Sequence, residues 1–318
     1  MFSLDEYDAA HRSAVLIDGS SRGTIALTGA DRRSFLHGLL TQDIAALSPG
    51  GGAYAAYLTP QGRMIADMRV IETGERTLLS VERAVAASLA LRLDSLIFSE
   101  DAQVKDITSE VDEVRVHGPS AAGTIERVLG ASLTGLSAQY DNLAVDRCTI
   151  VRDAAFGVPG FDIYVPRPEA PALSEMLLGA GAVRAGADTL ETLRIEAGRP
   201  LFGVDMDTDT IPLEAGIEDR AISFTKGCYV GQEVIIRVMH RGHGRVARRL
   251  VRLRMPGGAV PRAGDKVLSG DQPVGQITSG ADSPKAGAPL AMGYVHRDHA
   301  APGTALLVNG SEAVVYQP

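Results

Sequence analysis

Tryptophan is absent from this chain of 318 residues, and aromatic residues make up only 5% of it. A protein that held single-stranded nucleic acid by base stacking would carry more, so no nucleic-acid partner is expected. Cysteine is scarce as well. Cys148 and Cys228 stand far apart and cannot form a disulfide framework, which suits a reducing compartment. No stretch approaches the roughly 18 consecutive apolar residues that a membrane-spanning helix needs. The opening MFSLDEYDAAHRSAVLIDG has acidic residues where a signal peptide would be basic, and no apolar core follows. A cytoplasmic protein without a membrane partner is therefore expected. There is no CxxC pair, and Cys228, His240 and His243 lack the spacing of a zinc set, so no metal site is expected. No GxGxxG follows a strand pattern, which removes the support for a dinucleotide fold.

What is present describes an ordinary globular chain. Hydrophobic residues are 45% and charged residues 22%, close to the globular average, so the chain can bury a core unaided. Its 31 basic and 39 acidic side chains give a net charge of −8, which favours solubility and argues against a whole-protein nucleic-acid footprint. The 35 glycines imply many turns and short strands. The length suits two or three domains.

Periodicity predicts a strand over 24–27, then a helix in which Phe35, Leu36, Leu39, Leu40, Ile44 and Leu47 recur at helical spacing, with Asp31 as its N-cap. Strands are predicted over 54–58 and 64–71 around the turn Pro60, Gln61, Gly62, and a helix over 84–97. A strand over 111–117, a helix over 120–129, a strand over 161–165 and a helix over 169–178 follow. Asp188 and Glu191 form an expected capping box for a helix ended by Gly198 and Pro200. After about Arg245 the pattern becomes six short strands, 250–253, 266–268, 274–278, 290–295, 305–308 and 313–316, which describe a small β-barrel or sandwich. Strands and helices mix without a strict βαβ rhythm, so the fold class is α+β. The expected division is 1–240 as a core of two interwoven α+β subdomains and 241–318 as a C-terminal β-barrel.

The segment KGCYVGQE, Lys226 to Glu233, is the sharpest chemical feature. The Lys226 ammonium would favour the Cys228 thiolate, and Gly227 and Gly231 would let backbone N–H groups approach it. Gln232 and Glu233 add an amide and a carboxylate. The structural alternative for Cys228 is a small buried hydrophobe at a strand edge. A second feature is the basic run Arg237, His240, Arg241, His243, Arg245, Arg248, Arg249, Arg252 and Arg254, either a solvated strand and linker or an anion cradle. Glu196, just before the helix stop, either lies exposed or faces a pocket.

KGCYVGQE resembles the signature of the YgfZ-type folate-binding proteins of iron–sulfur cluster maintenance, relatives of the glycine-cleavage T-protein. The run Leu193 to Gly198 with Pro200, Phe202 and Gly203 is similar to the T-protein stretch around its pteridine-binding glutamate, and PLEAG at 212–216 continues it. Leu27, Thr28, Gly29, Asp31, Phe35, Leu36, Thr41 and Asp43 are like the family's opening helix. Phe156, Gly157, Gly160, Phe161, Asp162 and Tyr164 resemble its glycine-turned strand. The resemblance runs over roughly residues 20–316. It implies a T-protein-like ring of two mixed α/β domains plus a small C-terminal β-barrel, around a folate-sized channel. It implies tetrahydrofolate or a derivative as cofactor, and Glu196, Phe156, Gly227, Gly231, Gln232, Glu233 and Arg241 as its contacts. Cys228 and Lys226 would be the catalytic pair.

Two departures shape the functional expectation. Aminomethyltransferases carry an N-terminal aspartate that works on the folate nitrogen, and the region taken to correspond, 78–83, reads LLSVER without one. Counting on from Glu196 without gaps, the family's folate-site arginine falls at Cys228. Glycine cleavage is therefore not expected. The leading expectation is a tetrahydrofolate-binding protein that supports assembly or repair of iron–sulfur proteins through Cys228, with iron–sulfur client or assembly proteins as partners. The alternative is a folate-dependent aminomethyl or methyl transferase.

Overall fold

Alternation along two strands decides which side chains meet at the centre of the N-terminal half. The structure, a computed structural model, describes residues 2–240 and 244–317. The chain divides into two compact units. One comprises Met1–Leu58, Ala66–Gly186 and Arg220–Val230, the other Thr59–Ile65, Ala187–Asp219 and Gly231–Pro318. The units interleave along the chain, and the first barrel strand starts at Arg248, just beyond the boundary expected between 241 and 245.

The first unit holds two sheets. Five strands run in the order Gly52–Leu58, Met64–Glu72, Thr77–Glu82, Arg22–Thr28, Gln103–Asp106. Six run in the order Val183–Ala185, Val15–Asp18, Val111–His117, Gly160–Pro166, Cys148–Arg152, Asn142–Val145, with only the Val15–Asp18 and Val183–Ala185 pair parallel. In the six-stranded sheet, Val114, Val116, Phe161, Ile163 and Ile150 point one way. There they meet Ile125 of helix Ala121–Leu129 and Leu173 and Leu177 of helix Ala170–Gly179. Because side chains alternate with a period of two, the intervening Glu113, Arg115, His117, Asp162 and Tyr164 are sent to the opposite face. That face is also buried. Tyr164 and Val151 pack there against Ala26, Ile71 and Leu78 of the five-stranded sheet.

Charged residues on a doubly buried face must pair, and these do. Arg69, from strand Met64–Glu72, donates from Nη1 to Asp153 at 3.0 Å and to Asp162, and from Nη2 to Glu113 Oε1 at 2.9 Å. Arg115 Nε donates to Asp162 Oδ1 at 2.9 Å. The Gln139 amide donates to Asp153 Oδ1 at 2.6 Å, and Ser80 Oγ donates to Glu113 Oε2 at 3.0 Å. Burial and then the neighbouring Asp162 push the Asp153 carboxyl up. Burial also acts to raise Asp162, but Arg115, Arg69 and His117 outweigh it and hold that carboxyl well below the usual range. Gly160 is required beside this cluster, because a Cβ there would lie 2.0 Å from His117 Nδ1.

In the second unit, all six expected strands form and close a barrel: Arg248–Arg254, Ala288–His296, Gln272–Ser283, Lys266–Ser269, Ala305–Val308, Ser311–Tyr316. Leu253, Val267, Ile277, Val295, Leu306, Val308 and Val315 fill it. Helix Ala187–Glu196 lays Ile195 against Leu290 and Met292 of the barrel wall. The positions of the expected capping box fall within the helix rather than at its start. Asp188 lies inside the first turn, and Glu191 takes Arg194 in a two-pronged pair at 2.8 and 2.5 Å. Asp31 makes no side-chain cap on helix Arg32–Leu39; its carboxylate accepts the Asp101 N–H at 2.9 Å.

Two measurements check the buried cluster. Arg69→Met should cost about 3–5 kcal/mol in urea unfolding, since it leaves three buried carboxylates short of their cation. The acid limb has a definite sign. A depressed carboxyl contributes stability that is present above its unfolded value of about 3.9 and is lost as pH falls through its folded value. Asp162 should therefore steepen the loss of stability below about pH 4. The less stable Asp162→Asn variant should show a flatter slope there, and an unchanged slope would remove Asp162 from the acid limb.

Candidate functional site

The segment 220–230 is fastened to the chain around Thr41 by side chains chosen for their reach. Thr41 Oγ1 donates to the Ala221 carbonyl at 2.6 Å and accepts the Ala56 N–H at 2.8 Å, which ties the segment to strand Gly52–Leu58. Lys226 donates from Nζ to the carbonyls of Leu40 at 2.7 Å, Gln42 at 3.1 Å and His37. Helix Arg32–Leu39 ends there with its last carbonyls unpaired, and a cation is the natural group to place against them. The same ammonium lies 5.1 Å from the centre of the Tyr229 ring. Burial lowers the Lys226 pKa to about 8 against an opposing pull from Asp43, and pushes the Tyr229 phenol up to about 12.

Cys228 stands exposed in the loop, not buried at a strand edge, and Gly227 beside it is also exposed. The Lys226 ammonium is directed to the three carbonyls. Gly231 takes the left-handed conformation at φ 84° and leads into helix Gln232–His240. Gln232 and Glu233 lie in that helix's first turn, where Glu233 pairs with Arg237 at 2.9 Å. The motif is thus divided, since Lys226 to Val230 belong to the first compact unit and Gly231 to Glu233 to the second.

The remaining sequence-predicted residues fall into separate settings. Phe156 packs in the first unit against Arg115, 4.8 Å from the ring centre, and edge-on to His117. Glu196 is buried in the second unit, with Oε1 accepting from Ser283 Oγ at 2.5 Å and from the Lys285 N–H at 3.3 Å. Arg241 lies outside the described residues, as does His243. The basic run does not form one cradle. Arg248 pairs with Glu214 at 3.1 Å, Arg252 donates to the Glu196 carbonyl at 2.6 Å, and Arg254 donates to the Ala286 carbonyl at 2.9 Å.

Three residues that sequence reasoning passed over make the most suggestive arrangement. Tyr54, on strand Gly52–Leu58, donates its hydroxyl proton to Asp67 Oδ2 at 2.6 Å. Asp67 lies on strand Met64–Glu72 and is buried, and its Oδ1 has no hydrogen-bond partner among the described residues. The Arg220 guanidinium lies 5.2 Å from the centre of the Tyr54 ring. Burial, then the charge of Asp67, raises the Tyr54 phenol well above its ordinary value, with Arg220 pulling the other way. The proton stays on tyrosine, and the carboxylate keeps one buried oxygen to offer. A signal for this was available. Asp67 and Arg69 sit two apart in a strand whose other residues before the terminal Glu72 are Met64, Ile65, Ala66, Met68, Val70 and Ile71. Ionisable residues on one face of so apolar a strand need buried partners. The window 78–83 holds no aspartate, but the strand before it supplies a candidate in Asp67.

Comparison with known proteins bears on the rest. Residues 2–226 match the GCVT N-terminal domain and residues 248–314 the glycine cleavage T-protein C-terminal barrel domain. The chain is 35% identical over 311 residues to an aminomethyltransferase of Streptomyces avermitilis, covering 95% of this chain and 83% of that protein. It is 34% identical over 310 residues to one from Streptomyces coelicolor, covering 94% and 83%. A crystal structure of glycine cleavage system aminomethyltransferase T from Bartonella henselae superposes with a TM-score of 0.90 at 25% identity, over 99% of this chain and 88% of that one. The fold is the mixed α/β T-protein fold with a closed six-stranded barrel, as the resemblance implied. The function it implied is overturned. The relatives that match nearly end to end are named aminomethyltransferases, so neither iron–sulfur maintenance nor the exclusion of glycine cleavage stands. The family uses tetrahydrofolate. The chain belongs to the glycine cleavage T-protein family.

Proposed function

We propose that this protein is a tetrahydrofolate-dependent aminomethyltransferase of the glycine-cleavage type. The observation that carries this reading is the buried Asp67 carboxylate, anchored through Oδ2 by Tyr54 and left with Oδ1 unpaired. A buried carboxylate oxygen without a donor is costly unless a ligand supplies one. The N–H groups of a reduced pterin are such donors. Tetrahydrofolate, when bound, supplies the nitrogen that accepts the one-carbon unit. Asp67 Oδ1 would accept a hydrogen bond from that nitrogen and take its proton as the new C–N bond forms and the carbon's bond to its donor breaks, the proton passing on to the leaving group. The Tyr54 hydroxyl fixes the carboxylate and keeps its own proton, so the oxygen aimed at the ligand is the one able to act as a base. Arg220 holds the phenol from the ring face and retains a guanidinium in this cluster, whereas the position to which the family's folate-site arginine was assigned carries Cys228. Cys228 has no step in this reading. Glu196 is proposed as the pteridine contact, its carboxylate oriented through Oε1 by Ser283 and the Lys285 N–H.

Asp67→Asn keeps the shape and removes the base. It should lower the rate of one-carbon transfer to tetrahydrofolate by about 10²–10⁴ while leaving tetrahydrofolate affinity within a few-fold. Transfer at the wild-type rate would end the assignment of Asp67, and failure of the wild-type chain to bind tetrahydrofolate in calorimetry would end the whole reading. Glu196→Ala should weaken tetrahydrofolate binding by about 2–3 kcal/mol, because polar edges of the pteridine lose a charged partner away from water. Equal affinity in the two proteins would return Glu196 to a purely structural role beside Ser283.

A further inference from the structure

A well-formed cavity of the first unit lies away from Tyr54 and Asp67. Its volume is about 440 Å³. That falls within the ~300–1,000 Å³ typical of small-molecule sites. Strand Val15–Asp18, the start of strand Val111–His117, and the first turns of helices Arg83–Asp94 and Ala170–Gly179 enclose it. Leu16, Val114 and Pro171 give it an apolar floor, and Arg83, Arg167 and Arg184 stand on its walls.

The lining carries as many carboxylates as guanidinium groups, but they are committed differently. Glu113 is held by Arg69 and Arg115. Asp112 pairs with Arg167 at 2.9 Å. Asp18 closes its own turn, accepting from Ser20 N at 2.8 Å and Ser20 Oγ at 2.9 Å. Arg83 and Arg184 are left with little. Arg83 donates to the Ser20 carbonyl at 3.2 Å, and Arg184 meets Glu175 at 3.5 Å with both side chains more than half exposed. A pair so solvated adds almost nothing to stability and is readily exchanged for a better partner. Two available guanidinium groups over an apolar floor suit a molecule with an organic body and two negative charges, since each fork can take two oxygens of a phosphate or carboxylate.

We propose that this cavity is a second ligand site, distinct from the Tyr54–Asp67 cluster, that binds a small organic dianion, a phosphomonoester or a dicarboxylate, through Arg83 and Arg184. The site has no part in the transfer assigned to Asp67 and stands or falls apart from it.

Calorimetric titration of the full chain with phenyl phosphate and with glutarate tests this. At least one probe should bind saturably in the millimolar range or tighter. Its affinity should fall by at least about tenfold, a change of about 1.4 kcal/mol, in Arg83→Gln and again in Arg184→Gln. The Asp67→Asn protein should bind it as the wild type does. Whichever probe shows this dependence identifies the anion class. Thermal unfolding of both arginine variants without ligand should match the wild type, because neither side chain holds a buried partner. The proposal is overturned if neither probe saturates, if the double variant binds as tightly as the wild type, or if Asp67→Asn abolishes binding.

Discussion

The first unit depends on one guanidinium. Arg69 leaves the five-stranded sheet and reaches Asp162 and Glu113 of the six-stranded sheet and Asp153 just past its strand Cys148–Arg152, so the sheets are joined by charge as well as by apolar packing. Apolar contact is non-directional and would tolerate sliding of one sheet over the other. A planar fork meeting three carboxylates at fixed positions does not, because displacement would strand buried charge. Arg115, Gln139 and Ser80 complete the hydrogen bonding of the same carboxylates, so the network is distributed over four strands and the loop residues Gln139 and Asp153.

This constraint also explains where the candidate site lies. Asp67 and Arg69 share one face of strand Met64–Glu72. The residue that fixes the sheets and the residue that offers a free carboxylate oxygen are therefore two apart on the same rigid element. A base held by a strand locked on both sides keeps its direction, which is what proton transfer requires. Lys226 does comparable service for the segment 220–230. It closes the carbonyl end of helix Arg32–Leu39, and that segment is the one that brings Arg220 to Tyr54.

In the KGCYVGQE segment a lysine stands two residues from a cysteine, a spacing that suggests a tuning cation. Proximity in sequence fixed neither direction nor partner. The ammonium turned to three carbonyls that a helix end had left open, a better match for a group with three donors than a neighbouring thiol. The basic run from Arg237 onward had the same weakness. Arg248, Arg252 and Arg254 share the outer face of a barrel strand but stand at different heights along it, and so find different partners: Glu214 and the carbonyls of Glu196 and Ala286.

The amino-acid sequence by itself determined many of the elements and the T-protein fold, but not the YgfZ-type branch, and the helix expected to reach Leu47 ends at Leu39. Period-two runs cut by glycine and proline placed all six barrel strands, and the spacing of Leu89 and Leu93 placed helix Arg83–Asp94, because local periodicity is set by backbone geometry alone. Tertiary structure decided the rest. The proposed role of Asp67 could not be read from the window 78–83, since Asp67 gains its setting from a tyrosine thirteen residues away on an adjacent strand. Where the Lys226 charge goes depended on a helix end nearly two hundred residues earlier in the chain, Leu40 standing 186 residues before Lys226. Pairing of buried charge is a property of position in space, and no local pattern encodes it.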